Sequence, residues 1–166
     1  MTPPHDTIPP TDLRDLAVAL APPATLIRRA TEADIPTCAA MVERWLADCL
    51  WVPEGITTAH VTARVTGAIR QHTVLVAGDP VEAFLSLDTT SHEVRGLFST
   101  REGQGRATEL LDLAKQGRNF LFFNAPTLSA PVQMFFRSQG FVPIGGPAPM
   151  AGYPVAGLRM EWWREA

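Results

Sequence analysis

The sequence predicts an α+β fold built on a mixed sheet. Apolar residues recur at helical spacing in four segments, and strand-like runs lie between them. The predicted order of elements is β-α-α-β-β-β-α-β-α-β-β, with hairpins first and a strand–helix–strand crossover later. Because hairpins join antiparallel strands and the crossover joins parallel ones, the sheet contains both kinds of pair.

The first half of the chain begins with a strand over Thr25–Ala30. Thr31 follows as a helix N-cap, and Asp34 completes a variant of the capping box. Apolar residues at helical spacing then predict a first helix over 35–49 and a shorter second helix over His60–Arg70.

A strand-rich block follows the second helix. His72–Ala77 is a β-type run, and Gly78–Pro80 is a strong turn signal that predicts a hairpin with Val81–Asp88. After a turn at Thr89–Ser91, Glu93–Ser99 is the next strand. This block therefore supplies the antiparallel part of the sheet.

The second half of the chain alternates helices and strands. Its predicted elements are a helix over 107–114, a buried strand over Asn119–Asn124, a helix over Val132–Gln139, a strand over Phe141–Ile144, a Gly/Pro loop over Gly145–Gly152 and a closing strand over Val155–Trp163. The apolar run Asn119–Asn124 is typical of a strand that is covered on both faces.

Proline marks the boundary between the folded body and the N-terminus. Of 15 prolines in 166 residues, six fall in the first 23 and none falls between 81 and 125. We therefore predict a partly ordered, proline-rich N-terminal arm over 1–23 and a single domain over 24–166.

Composition and charge exclude several classes of protein. Apolar residues make up 46% of the chain, which is enough for a sizeable core. The net charge is −3 and Lys115 is the only lysine, so neither nucleic-acid binding through phosphates nor a polybasic membrane patch is expected. No apolar run is long enough to span a membrane.

The remaining sequence signals favour a cytoplasmic protein. The N-terminus carries Asp6 and Asp12 without a basic or apolar signal region, so we expect no signal peptide. Cys38 and Cys49 would lie about 16 Å apart along one helix, which is too far for a disulfide. We therefore expect two reduced thiols that pack in a core.

The segment that carries chemistry is a glycine-containing loop between a strand and a helix, Ser99–Arg106. Gly103 and Gly105 would let the backbone approach a phosphate, and the helix start would supply free N–H groups. The loop lacks the third glycine of a dinucleotide fingerprint and the Gly-Lys-Ser/Thr of a P-loop. A tight structural turn uses glycine as well, so the loop alone leaves both readings open.

The context of this loop resembles the GNAT superfamily, the acetyl-CoA-dependent N-acetyltransferases. The family's Gln/Arg-x-x-Gly-x-Gly/Ala motif reads Glu102–Ala107 here, at the start of the third helix. Leu26–Pro36 looks like the family's opening strand and helix, and Phe135–Phe141 resembles its Phe-Tyr-x-x-x-Gly-Phe signature. The resemblance runs from about Thr25 to the C-terminus, and the three motifs occur in the family's order.

The resemblance implies a GNAT-like fold: a mostly antiparallel sheet of about seven strands, splayed in the middle, with helices on both faces. Acetyl-CoA would lie where Glu93–Ser99 splays from Asn119–Asn124, and an amine of a small molecule or protein would attack the thioester directly. No metal is implied, and a homodimer is an option. The implied cofactor-binding residues are Leu97, Phe98, Ser99, Arg101, Gly103, Gln104, Gly105, Arg106, Ala107, Thr108, Ser129 and Phe136.

Three matched positions depart from the family pattern. Glu102 stands where the motif has Gln or Arg, Phe136 replaces the usual Tyr, and Ser129 replaces a frequent Asn. In the family that Tyr is the common acid toward the thiolate, and phenylalanine has no proton to give. The alternative to an active enzyme is therefore a degenerate module that binds acyl-CoA or a protein partner without efficient turnover.

Candidates for the general base are Asp88, His92 and Glu93, on or beside the central strands. The alternative is that all three are ordinary solvated charges at strand ends.

Aromatic residues supply candidates for an acceptor pocket, namely Trp45, Trp51, Phe84 and Phe98. Core packing is the alternative for each of them. Trp162 and Trp163 fall on opposite faces of the last strand, so we expect one ring in the core and the other at a dimer contact or a pocket mouth.

Overall fold

The computed structural model describes residues 26–52, 54–100, 105–151 and 153–166. The N-terminal arm predicted over 1–23 lies outside the described residues, as do positions 101–104 of the glycine loop. The α+β prediction is confirmed, because a mixed sheet carries helices on both of its faces.

The sheet has eight strands in the order β1-β2-β3-β4-β5-β8-β6, with β7 paired to β8. The strands are β1 (Ile27–Arg29), β2 (Thr73–Ala77), β3 (Ala83–Asp88), β4 (Glu93–Ser99), β5 (Phe120–Pro126), β6 (Val142–Pro143), β7 (Ala148–Pro149) and β8 (Ala156–Trp163). Among the strand pairs of the described residues, β4–β5 alone is parallel. The prediction of about seven strands missed β7, which is two residues long and lies in the Gly/Pro loop.

The described residues form four α-helices in two layers. They are α1 (Ile35–Asp48), α2 (Thr58–Gln71), α3 (Arg106–Lys115) and α4 (Ala130–Ser138). Cys38 of α1 and Val65 of α2 pack with Phe84 of β3 on one face of the sheet. Leu110 of α3 and Phe136 of α4 belong to the cluster on the other face.

Strand β3 is covered on both faces. Leu85 is fully buried against the α3 and α4 layer, whereas Phe84 is buried against the α1 and α2 layer. Ser86 is therefore buried as well, although serine is a polar residue. A central strand between two helix layers has no solvent-facing side.

Strands β4 and β5 diverge, which confirms the splay. The two strands are paired at one position, where Glu93 lies opposite Phe122. Beside it, the Phe122 N–H donates a hydrogen bond to the His92 carbonyl. From Val94 to Phe98, the edge of β4 that faces β5 has no partner strand among the described residues. The register of β3 against β4 also shifts, so that Arg95 is the extra residue of a β-bulge.

An ion pair fastens the first strand to the start of α1. The Asp34 carboxylate accepts two hydrogen bonds from the Arg28 guanidinium, at 2.7 and 2.8 Å, and one from the Thr31 N–H at 2.8 Å. The bond to Arg28 is the main reason that the pKa of Asp34 falls from 3.8 to about 2.

This lowered pKa predicts acid-dependent stability. The ion pair stabilises the fold fully above the unfolded carboxyl pKa near 4, and the contribution is lost as pH falls towards 2. We expect Asp34→Asn to cost about 1 kcal/mol at neutral pH, because solvent screens the half-exposed Arg28. Urea unfolding of both proteins should show the difference shrinking between pH 4 and pH 2. The exposed Asp112→Asn serves as the control, and a difference that is independent of pH would contradict the prediction.

Candidate functional site

The gap between β4 and β5 lies at the centre of the candidate site. β4 leads out of the sheet into the glycine loop, and Gly105 begins α3 on the far side of that loop. Among the described residues, the main-chain donors and acceptors on the β5-facing side of β4, from Arg95 to Phe98, therefore face an opening rather than a strand.

Gly105 fits the start of a helix that receives a phosphate group. Its φ of +75° lies in the left-handed region, and a Cβ added there would meet no atom of the described residues within 4 Å. As the N-cap of α3 it offers no side-chain acceptor to the first helical N–H groups. The N–H groups of Arg106, Ala107 and Thr108 have no acceptor within the helix, so they can donate to an anion in this open space.

Arg106 is engaged by acidic side chains. Its Nε lies 3.3 Å from Glu82 Oε2, and its Nη1 lies 3.4 Å from Glu109 Oε2. These contacts offset part of the positive charge of Arg106 beside the loop. Arg101, Gly103 and Gln104 lie outside the described residues, together with Glu102.

The predicted cofactor-binding residues Leu97, Phe98 and Ser99 occupy the last part of β4. Leu97 packs toward the α3 and α4 layer, and Phe98 packs toward the α1 and α2 layer. Ser99 is exposed at the end of the strand, and the following Thr100 N–H still donates to the Glu82 carbonyl at 2.8 Å. β3 thus holds this part of β4 in place on the side away from the gap.

The two predicted positions on α4 differ in environment. Ser129 is the N-cap, and its hydroxyl caps no helical N–H. Phe136 is 2% exposed and stacks on Phe123 of β5, with ring centroids 4.0 Å apart and planes 6° apart. The structure therefore places Phe136 within the core.

Of the candidate bases, Asp88 and His92 belong to the β3–β4 turn. The Asp88 carboxylate accepts the N–H groups of Thr90 and Ser91 at 2.9 and 3.2 Å, and these bonds lower its pKa. His92 is exposed and has a φ of +66°. Asp88 thus stabilises a turn, and a lowered pKa makes it a weaker base.

Glu93 lies where β4 and β5 begin to diverge. Its Oε1 accepts a hydrogen bond from Asn124 Nδ2 at 3.2 Å, and its Oε2 lies 3.4 Å from Arg95 Nη1. With a side chain 22% exposed, it ties the two strands together at the closed end of the gap. None of the three base candidates lines the described wall of the cavity on the α1 and α2 face of the sheet.

A cavity of about 500 Å³ opens on the α1 and α2 face of the sheet. The structure brings the four predicted pocket aromatics together in its wall. Trp45 contacts Trp51 and Phe98 edge-on, with centroids 5.6 and 5.8 Å apart, and Phe98 stacks on Phe84 at 5.1 Å. Arg95 and Gly96 of the bulged β4 also line the cavity, so it shares a wall with the gap.

Polar wall residues include three that the sequence interpretation missed: Arg64, Ser86 and Tyr153. Arg64 Cζ lies 5.3 Å from the centroid of the Tyr153 ring. The Ser86 Oγ is buried without a hydrogen-bond partner in the described part of the chain. The sequence signal that could have identified Ser86 is its position as the one polar residue in the apolar run 83–87. Tyr153 is the only tyrosine in the chain.

The last strand separates its two tryptophans as expected. Trp162 packs against the α3 and α4 layer, where Lys115 Nζ lies 5.2 Å from its ring centroid. Trp163 is 62% exposed beside Phe120. It does not line the described wall of the cavity.

Neither cysteine is suited to act as a nucleophile. Burial raises the pKa of the Cys38 thiol to about 12 and also raises the pKa of the Cys49 thiol. Among the described residues, no group of three His, Cys, Asp or Glu side chains is placed to hold a metal ion. The helices of the described ranges are too short or too polar to cross a membrane.

Comparison with solved structures identifies the fold. A GCN5-related N-acetyltransferase from Rhodopseudomonas palustris matches with a TM-score of 0.64 and 20% identity, over 85% of this chain and 96% of that chain. The yncA protein from Salmonella typhimurium, solved with its cofactor acetyl-CoA, matches with a TM-score of 0.60 and 18% identity, over 84% and 94%. A GNAT-family acetyltransferase from Bacillus cereus matches with a TM-score of 0.65 and 12% identity, over 86% and 99%.

No family model and no curated protein matches the sequence. The likeness is therefore one of structure, and it extends over almost the full length of each solved relative. The chain has the fold of the GCN5-related N-acetyltransferases, the GNAT fold.

Proposed function

We propose that this protein is an acetyl-CoA-dependent N-acetyltransferase that acts on a small amine. The observation that carries the proposal is the double role of β4. From Arg95 to Phe98, its edge faces the β5 gap without a partner strand among the described residues, and the strand leads towards Gly105. Arg95, Gly96 and Phe98 also line the cavity on the α1 and α2 face. A cofactor in the gap and an acceptor in the cavity would meet at this one strand.

The residues around the gap fit acetyl-CoA. Open space in front of Gly105 and the N–H groups of the first α3 turn suit a pyrophosphate. Main-chain groups of Leu97 to Ser99 would hold the pantetheine arm by strand-like hydrogen bonds. The solved relative that contains acetyl-CoA as its cofactor supports this assignment.

The reaction transfers an acetyl group from sulfur to nitrogen. Acetyl-CoA supplies a thioester whose carbonyl carbon accepts the amine lone pair; the carbon–sulfur bond breaks, the nitrogen loses a proton and the thiolate gains one. The protein's part is to orient the amine and to move those protons. We propose Glu93 as the base, acting through water, because it is the carboxylate at the β4–β5 junction.

Binding of acetyl-CoA is the first test of this function. A ligand at 100 times its dissociation constant adds about 2.7 kcal/mol to the free energy of unfolding. We expect a clear rise in melting temperature with acetyl-CoA, and thiol release when an acceptable amine is added. An unchanged melting temperature at millimolar acetyl-CoA would contradict the proposal.

One observation favours the degenerate module as a second candidate. Phe136 is buried and has no proton to donate, so the residue at the family's usual acid position cannot protonate the thiolate. The two candidates differ in turnover rather than in binding. A stabilising shift by acetyl-CoA with no thiol release across a panel of amines would favour the module, whereas sustained release with any amine would reject it.

A further inference from the structure

The cavity wall is cationic although the chain as a whole is anionic. The net charge of the protein is −3, yet the permanently charged side chains in the described wall are Arg64 and Arg95, with no Asp or Glu among them. A wall of this kind favours a ligand that carries negative charge.

The two arginines are not equivalent. Arg95 lies 3.4 Å from Glu93, so a carboxylate of the protein already offsets its charge. Arg64 has no carboxylate partner in the described part of the chain, and its guanidinium lies against the Tyr153 ring. Stacking on an aromatic ring orients a guanidinium and leaves its N–H groups available. Arg64 is therefore the cation that a ligand carboxylate can reach.

A second, independent feature points to a ligand in this cavity. The Ser86 hydroxyl is buried and lacks a hydrogen-bond partner among the described residues, and Ser86 lines the cavity. A buried polar group without a partner is costly, and such groups in native proteins call for an explanation. Ser86 pairs with Gly96, next to the β4 bulge, and both residues line the cavity, so Ser86 belongs to the part of the wall that β3 and β4 form.

The rest of the wall suits an apolar body. Trp45, Trp51 and Phe98 form a continuous aromatic surface, and the volume of about 500 Å³ is that of a small-molecule site. No carboxylate in the described wall is placed to hold an ammonium group. Binding must therefore depend on the other end of the acceptor and on its apolar surface.

We propose that the acceptor is a small apolar amine that carries a carboxylate, and that Arg64 is the residue that binds this carboxylate. The inference rests on the proposed acetyl transfer, since it names the substrate of that reaction. The amine end lies toward Ser86 and Gly96, where its nitrogen gives up a proton and gains the acetyl carbon. The cationic wall favours the neutral, nucleophilic form of the amine, because like charges lower its pKa.

Matched ligand pairs test the proposal by binding, without requiring turnover. One pair is L-phenylalanine and phenethylamine, and a longer pair is ε-aminocaproate and hexylamine. Isothermal titration to the full chain saturated with coenzyme A measures each affinity. We expect the carboxylate member of at least one pair to bind about 10- to 100-fold more tightly, as hydrogen bonds to a charged group provide. Equal affinities within both pairs, or no binding of any member at millimolar concentrations, would overturn the proposal.

Two variants assign the effect to a residue. Arg64→Gln should remove the preference for the carboxylate member and leave the affinity of the matching amine unchanged. Arg44→Gln, a change of another exposed helical arginine that does not line the described cavity wall, should keep the preference. A preference that survives Arg64→Gln would overturn the role of Arg64. Failure of the proposed function can be told apart from failure of this inference. If the proposed function is wrong, acetyl-CoA does not stabilise the protein, whatever the ligand pairs show.

Discussion

Replacing Gly105 by valine is expected to weaken acetyl-CoA binding by about 10- to 100-fold, the effect of losing hydrogen bonds to a charged group. Gly105 has a φ of +75°, which a β-branched residue adopts only with strain. Its Cβ would project into the open space in front of the first α3 turn, where the pyrophosphate would approach the backbone. Titration of acetyl-CoA followed by calorimetry measures the loss.

Gly117 provides a matched control for this substitution. It has a φ of +70°, a Cβ added there also meets nothing within 4 Å, and it follows the opposite end of α3. Gly117→Val should therefore cost about the same stability and leave acetyl-CoA affinity unchanged. If both variants lost affinity equally, strain in α3 would explain the effect and Gly105 would have no special position at the phosphate site.

Local signals were sufficient to predict most of the fold. The turn at Gly78–Pro80 and the buried run Asn119–Asn124 led to the correct hairpin and crossover, because turn chemistry and apolar periodicity act within a few residues. The bulge at Arg95 was missed because register is a property of two strands together. Strand β7 was missed because Ala148–Pro149 has no periodicity to detect.

The candidate site was predictable to a smaller extent. The four aromatics of the cavity were found, because large apolar side chains on neighbouring elements face each other in this fold. Arg64 was missed although it borders the apolar stripe of α2. Which side chains of a helix line a cavity depends on how the helix packs on the sheet, and the sequence of the helix alone does not show this. Asp88 was a base candidate because the sequence does not reveal its hydrogen bonds to the Thr90 and Ser91 N–H groups. These bonds show that its carboxylate stabilises the β3–β4 turn.

Replacing Phe136 by alanine is expected to lower the free energy of unfolding by about 3–5 kcal/mol, the range for a buried phenylalanine. Phe136 is 2% exposed, stacks on Phe123 and contacts Phe135 and Phe141 edge-on at 5.4 and 5.1 Å. Alanine would leave a cavity between α4 and β5 that these rings cannot fill. Thermal unfolding should show a melting temperature lower by about 10 °C.

Met134 is the control for that substitution, because it lies on the same helix and is 69% exposed. Met134→Ala should change stability by no more than about 0.5 kcal/mol, as is usual for surface positions. A large loss for Phe136→Ala alone would mean that this position, the family's usual acid position, serves packing in this chain. The proton for the leaving thiolate must then come from water or from another side chain. A loss similar to that of Met134→Ala would instead mean that the Phe136 ring borders the open gap, where it is free to contact acetyl-CoA.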